Sequence, residues 1–112
     1  MNEQELSWIY MTAGSPEEAR QIGRVLMEKK LAACVNLIEG MCSPYQWKGE
    51  IQEDCETVMI AKTRNELVGE LTRTVKSVHS YDCPCILELP VHGGNPEFLD
   101  WIHTKTDSSS SR

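Results

Sequence analysis

The chain has 112 residues, a formal net charge of −6 at pH 7 and 40% hydrophobic residues, enough for one domain with a modest core. The acidic balance argues against nucleic acid as partner, because phosphates need a basic face, and it equally disfavours an anionic membrane surface. No apolar run approaches the length of a membrane span.

Met1 to Glu5 lacks the basic and apolar regions of a secretory signal, and five cysteines are an odd count for a disulfide framework. Together these lead to an expectation of reduced thiols and a cytoplasmic setting. Leu6 to Thr12 alternates loosely and reads as a first strand, ended by Gly14. Ser15-Pro16-Glu17-Glu18 is a helix start: Ser15 can cap, Pro16 sits where a missing N–H costs nothing, and Glu18 completes a capping box. Ala19, Ile22, Leu26 and Ala33 continue at helical spacing. Gly23 weakens that helix by about 1 kcal/mol relative to alanine, unless another backbone packs closely there.

Ala32 to Trp47 reads as one long strand and Ile51 to Lys62 as its antiparallel partner, joined by a turn at Lys48-Gly49-Glu50. Within it, Ser43, Tyr45, Trp47 and Gly49 recur at every second position and therefore share a face. A second capping box is expected at Thr63-Arg64-Asn65-Glu66. It precedes a helix with Leu67, Leu71, Val75 and Val78 on its apolar stripe, ending near His79 or Ser80. Cys85 to Val91 is a strand closed by Pro90 and Gly93-Gly94. Asn95-Pro96-Glu97 opens a third helix, with Phe98, Trp101 and Ile102 expected on its inner side. The order is β-α-β-β-α-β plus a terminal helix, an α+β chain of ferredoxin-like type with a long central β-hairpin. Residues 1–106 are read as a single domain and the Ser-rich 107–112 as a disordered tail.

Sixteen extended residues span about 53 Å, whereas a compact domain of this size is about 34 Å across. The hairpin should therefore overhang its own core. An overhanging arm carrying Tyr45 and Trp47 invites pairing with a second copy of the chain, so both residues are assigned to an oligomer interface. Gly40 and Pro44 are the places where the arm can bend.

These residues resemble a known family. Lys30-Leu31-Ala32-Ala33-Cys34-Val35-Asn36, then Ser43-x-Tyr45-x-Trp47-x-Gly49, Glu56, Lys62-Thr63, His79-x-Tyr81-x-x-Pro84-x-Ile86, Pro90 and Trp101-Ile102 are similar to the CutA divalent-cation tolerance family, in order, from about Leu6 to Ile102. The resemblance implies a homotrimer in which long hairpins wrap neighbouring subunits, and a link to tolerance of copper or another divalent cation. No cofactor is implied for folding and no enzymatic reaction is implied. The trimer architecture is also similar to PII-type signal proteins, which gives an alternative reading: an effector-binding module with ligand clefts between subunits. In bacterial relatives the proposed copper ligands are a cysteine on the first strand and a His-His pair before the Tyr-x-x-Pro segment. This chain has Met11 at the first place and Val78-His79 at the second.

Candidate metal ligands are therefore His79 and Met11. Imidazole suits copper and zinc, and a thioether suits Cu(I). The bland readings are a solvated histidine at a helix C-terminus and a core methionine. Cys83 and Cys85 flank Pro84, so on an extended segment both thiols would face one side and could join His79 around a thiophilic ion. Cys34, Cys42 and Cys55 fall on predicted strands, where packing is expected. Glu50, Glu53, Asp54 and Glu56 match no calcium loop and read as a solvated face. Lys62, Glu56 and Tyr81 are candidates for a polar cleft at a subunit boundary. Cys83 with His79 is conceivable as a nucleophile–base pair, with no orienting third group.

Overall fold

A computed structural model describes residues 5–107, so the Ser-rich stretch 108–112 lies outside the described residues. The elements in chain order are β1 (Leu6–Ala13), α1 (Pro16–Glu28), β2 (Cys34–Trp47), β3 (Glu50–Arg64), a single 3-10 turn (Asn65–Leu67), α2 (Val68–Val78), β4 (Ile86–Val91) and α3 (Pro96–Lys105). The four strands form one antiparallel sheet in the order β2-β3-β1-β4. This is the expected ferredoxin-like arrangement with a terminal helix.

The period of two along each strand divides the sheet into two faces. Ile9, Met11 and Ala13 of β1, Met59 and Ala61 of β3, and Val35 and Leu37 of β2 point to the side covered by α1 and α2. There they meet Ala19, Ile22 and Leu26 of α1 and Leu71 and Val75 of α2 to form the core. Ser15 caps α1 by accepting from the Glu18 N–H at 3.1 Å. Gly23 on its buried face gives room to a side chain rather than a backbone: an added Cβ would stand 3.5 Å from Val35. Ala33 lies beyond the helix, which ends at Glu28. The chain reverses at Lys30, whose φ is +59°, so that Leu31 and Ala32 enter the core instead.

The second capping box does not form. Thr63 is still in β3, fully buried, and its hydroxyl finds no hydrogen-bond partner among the described residues. Continued pairing of Thr63 with Ser7 and Arg64 with Leu6 keeps the strand going two residues past the expected end. α3 is capped by Asn95, which accepts from the Glu97 N–H at 3.1 Å. Its far end is held by Arg64, whose guanidinium donates to the Thr106 carbonyl at 2.7 Å and to its hydroxyl at 3.0 Å. Only Ile102 of the expected inner side is buried. Phe98 and Trp101 stack on each other at 5.4 Å and remain exposed.

The arm extends well beyond the core. Fourteen residues of β2 correspond to about 46 Å, and the molecule measures 47 × 28 × 22 Å. Its turn is the two residues Lys48 and Gly49, with φ of +53° and +82°, not three. Two positive φ values match the right-handed strand twist, so Glu50 is already paired with Trp47. A bulge at Glu39–Gly40, with Gly40 at φ +80°, shifts the register between Ile38 and Met41. The extra residue reverses the parity of β2 beyond it. As a result Met41, Ser43, Tyr45 and Trp47 face the side of the sheet away from α1 and α2, in line with Glu56 and Asp54.

Candidate functional site: the aromatic and acidic cleft below the arm

On the face away from α1 and α2, the arm and the 81–85 segment enclose an open cleft of about 520 Å³. Thr12, Ser43, Tyr45, Trp47, Asp54, Glu56, Tyr81, Asp82, Cys83 and Cys85 line it. Three strands and one loop supply these residues. The bulge brings the period-two aromatics to this side, β3 carries the two carboxylates, and the loop after α2 carries the rest.

The carboxylates are held by phenols. Tyr45 donates its hydroxyl to Asp54 at 2.8 Å and Tyr81 donates to Glu56 at 2.9 Å. Burial, together with the Glu56 hydrogen bond and charge, pushes Tyr81 up to about 12. Burial and then the Glu56 charge push the Cys85 thiol up as well. At neutral pH the cleft therefore presents neutral phenols and a protonated Cys85 thiol beside an excess of carboxylates. Such a Cys85 is not primed as a nucleophile.

His79 is close by but faces elsewhere. Its side chain is fully buried. Nε2 stands 2.8 Å from the Thr12 carbonyl and Nδ1 stands 3.0 Å from the Tyr81 N–H. A carbonyl can only accept and an N–H can only donate, so the partners assign the neutral tautomer with its proton on Nε2. Both ring nitrogens are used in tying the loop after α2 to β1. The solvated histidine expected at the helix end is thus a buried structural one, and it neither carries a free lone pair toward Cys83 nor serves as its base. Glu18 reinforces the same corner. Its carboxylate accepts from the Ser80 N–H at 2.7 Å, the Ser80 hydroxyl at 3.0 Å and the Gly14 N–H at 3.3 Å. Burial pushes Glu18 up, but the hydrogen bonds from Ser80 and Gly14 outweigh it and hold the carboxyl below its ordinary value.

The four candidate metal ligands do not converge. Met11 is fully buried in the core on the helix-covered face. His79 is internally satisfied. Only Cys83 and Cys85 reach the cleft, and Cys83 lies in a bend, ahead of the first residue of β4. No group of three or more His, Cys, Asp or Glu side chains able to hold a metal ion occurs among the described residues. The donor set does not fit a resident metal centre. Of the three residues expected to build a polar cleft, Glu56 and Tyr81 meet. Lys62 is six residues away along β3, about 20 Å, where its ammonium lies 5.9 Å over the Phe98 ring and donates to Asn36. The four hairpin carboxylates are also split. Glu50, Asp54 and Glu56 lie on the cleft side and Glu53 lies on the other. Asp82 and Glu18 escaped the sequence reading. Asp82 follows a tyrosine in a loop without periodicity, and Glu18 was already assigned to its helix cap.

Much of the remainder of this sheet face is exposed. Trp8 of β1 and Leu87 and Leu89 of β4 lie side by side in register, with exposures of 42%, 58% and 45%. Ile38 of β2 is 53% exposed. α1 and α2 cover only the opposite side, and α3 reaches this one at its Lys62–Arg64 end, so these apolar side chains are left exposed.

Residues 7–105 match the family model for the CutA1 divalent ion tolerance protein. The chain is 45% identical over 106 residues to mouse Protein CutA, covering 95% of this chain and 60% of the mouse protein. It is 49% identical over 96 residues to the divalent-cation tolerance protein CutA of Archaeoglobus fulgidus, covering 86% and 93%. The chain thus spans 60%, 59% and 57% of the mouse, human and rice relatives it matches. Among solved structures, CutA1 from Oryza sativa superposes with a TM-score of 0.91 at 36% identity, covering 96% of this chain and 98% of that one. CutA from Archaeoglobus fulgidus superposes with a TM-score of 0.89 at 46% identity, covering 91% and 99%. The cytoplasmic expectation does not stand. The Archaeoglobus protein of known structure is described as periplasmic, and the rice and Arabidopsis relatives as chloroplastic. One fold serves several compartments, so an odd cysteine count and the residues before β1 do not fix an address.

Proposed function

We propose that this chain, which belongs to the CutA1 divalent ion tolerance family, works as a homotrimer whose sheet faces and long arms pack against sister subunits. In this reading it contributes to divalent-cation tolerance by binding rather than by catalysis. The exposed apolar sheet face carries the proposal. Trp8, Leu87, Leu89 and Ile38 stay exposed on the face that α1 and α2 leave open, and the stacked Phe98 and Trp101 of α3 add to them. Water contact with so much apolar surface costs about 25 cal/mol per Å², and packing against sister copies around a three-fold axis removes it for all three. Tyr45 and Trp47 lie on the same side of the arm, where a neighbouring subunit would meet them.

Cation contact in this reading is weak capture by exposed donors, with Cys83 and Cys85 beside Asp82 as the favoured place. A second reading is supported by the cleft itself: its volume and its aromatic and carboxylate walls suit a small effector held at a subunit boundary, as in PII-type modules.

Light scattering at low protein concentration tests the assembly, with a trimer expected. Trp8→Glu and Leu89→Glu each place a charge on this face and should yield smaller species that remain folded by circular dichroism. A wild-type monomer would overturn the proposal. Thermal shifts with Cu(II) and with a metabolite panel separate the two ligand readings, using Cys83→Ser/Cys85→Ser as the comparison. Copper affinity unchanged in that double variant would remove the thiols from the metal reading.

A further inference from the structure

We propose that Cys42 and Cys55 form a reversible, disulfide-closing dithiol across the arm, a modification site separate from the cleft. The two residues are directly opposed in the β2–β3 register, both are exposed, and both are reduced in this structure. Directly opposed residues of an antiparallel pair have Cα atoms about 4.5–5.5 Å apart and side chains on one face. A disulfide needs about 4.4–6.8 Å, so the register places the two cysteines within bridging range. Tyr45, Trp47 and the cleft occupy the other face, because the residues of β2 and β3 alternate sides. The pair is exposed on the surface of the arm opposite the one that carries Tyr45 and Trp47.

A third group completes the site. Cys42 donates its S–H to the Glu53 carboxylate at 2.7 Å, and Glu53 lies on the same outer face. That hydrogen bond, with burial and the Glu53 charge, keeps the Cys42 thiol above its ordinary value. This arrangement gives the two cysteines different parts. Cys55 as thiolate attacks one sulfur of glutathione disulfide. A Cys55–glutathione bond forms and one glutathione thiolate leaves, taking up a proton from solvent. Cys42 then passes its proton to Glu53 and attacks the Cys55 sulfur. The second glutathione leaves as thiolate and takes that proton. Two protein thiols lose two electrons and two protons, and one glutathione disulfide becomes two glutathione thiols. Closure ties β2 to β3 on the arm side of the Glu39–Gly40 bulge and encloses the whole tip, including the Lys48–Gly49 turn. In an oxidising compartment the arm would be stapled, and in a reducing one it would be open.

The test uses the full chain, reduced and then equilibrated in glutathione buffers of graded redox ratio, with free thiols alkylated before mass measurement. Closure should remove two hydrogens and two alkylation sites. Trypsin cutting after Lys48 should then leave residues 31–48 and 49–62 joined until reductant is added. Cys42→Ser should abolish that linkage and accumulate glutathione on Cys55. Glu53→Gln should raise the fraction trapped as the Cys55 mixed disulfide several-fold at early times while leaving the first attack unchanged. Linkage of 49–62 that survives in Cys42→Ser, or equal mixed-disulfide levels in wild type and Cys42→Ser, would overturn the proposal. Light scattering on the oxidised and reduced samples keeps this distinct from the assembly: a monomer that closes the bond refutes the trimer and not the dithiol.

Discussion

Glu18 offers the most searching test of how the cleft is held in place. Its carboxylate gathers three donors from two separate segments, the Ser80 N–H, the Ser80 hydroxyl and the Gly14 N–H, and its side chain is only 17% exposed. Hydrogen bonds to a charged acceptor contribute about 1.5–3 kcal/mol each. Ser80 and Gly14 are themselves exposed, so donors released by a mutation find water and the full sum is not lost. Glu18→Ala should therefore destabilise the protein by about 2–3 kcal/mol at pH 7, and Glu18→Gln, which keeps one acceptor oxygen, by about 1 kcal/mol. The pH dependence sharpens the test. The folded state holds the Glu18 carboxyl below its value of 4.5. The stabilisation is then complete above pH 4.5 and is lost as the pH falls through the lower, folded value. A protonated glutamic acid resembles glutamine, so the wild type and Glu18→Gln should converge in acid. Urea titrations at pH 7, 4.5 and 3, at one fixed protomer concentration because assembly links stability to concentration, read this directly. A Glu18→Gln penalty that persists undiminished at pH 3, or a Glu18→Ala penalty below about 0.5 kcal/mol at pH 7, would refute the account of this corner.

Other outcomes follow from single features. Thr63→Val exchanges an unpartnered buried hydroxyl for a methyl of the same shape and should stabilise the fold by about 1–2 kcal/mol in denaturant titrations. Lys48→Asn places a residue tolerant of positive φ at the first turn position and should raise stability by about 0.5–1 kcal/mol, read as a higher melting temperature. Tyr81 ionises only near pH 12, so its neutral form is the one the folded state favours, and stability should fall as the pH rises from 10 toward 12. Ultraviolet titration should show a late tyrosine phase that Tyr81→Phe removes.

Local chemistry settled much of the fold from the sequence alone. Ser15-Pro16 and Asn95-Pro96 each start a helix where expected, because caps and proline act within a few residues of themselves. The period of two at Ser43, Tyr45 and Trp47 identified a common face, and the motif set was sufficient to place the chain in its family. Thr63 shows where such reasoning stops. The same Thr-x-x-Glu pattern that caps a helix elsewhere is overruled by pairing with Ser7, a residue far away in the chain. The turn shows how much one residue matters. With Glu50 in the turn, Cys42 would oppose Glu56, whereas with Lys48–Gly49 alone Cys42 opposes Cys55. The bulge at Gly40 had the same leverage, because one added residue decides which side of the sheet Tyr45 and Trp47 occupy. His79 was legible as a helix end but not as a buried one, since its partners come from β1 and the following loop. Short-range signals act through backbone geometry that each segment carries with it. Register, burial and the meeting of Glu56 with Tyr81 depend on contacts between segments distant in sequence, and only the assembled sheet decides those.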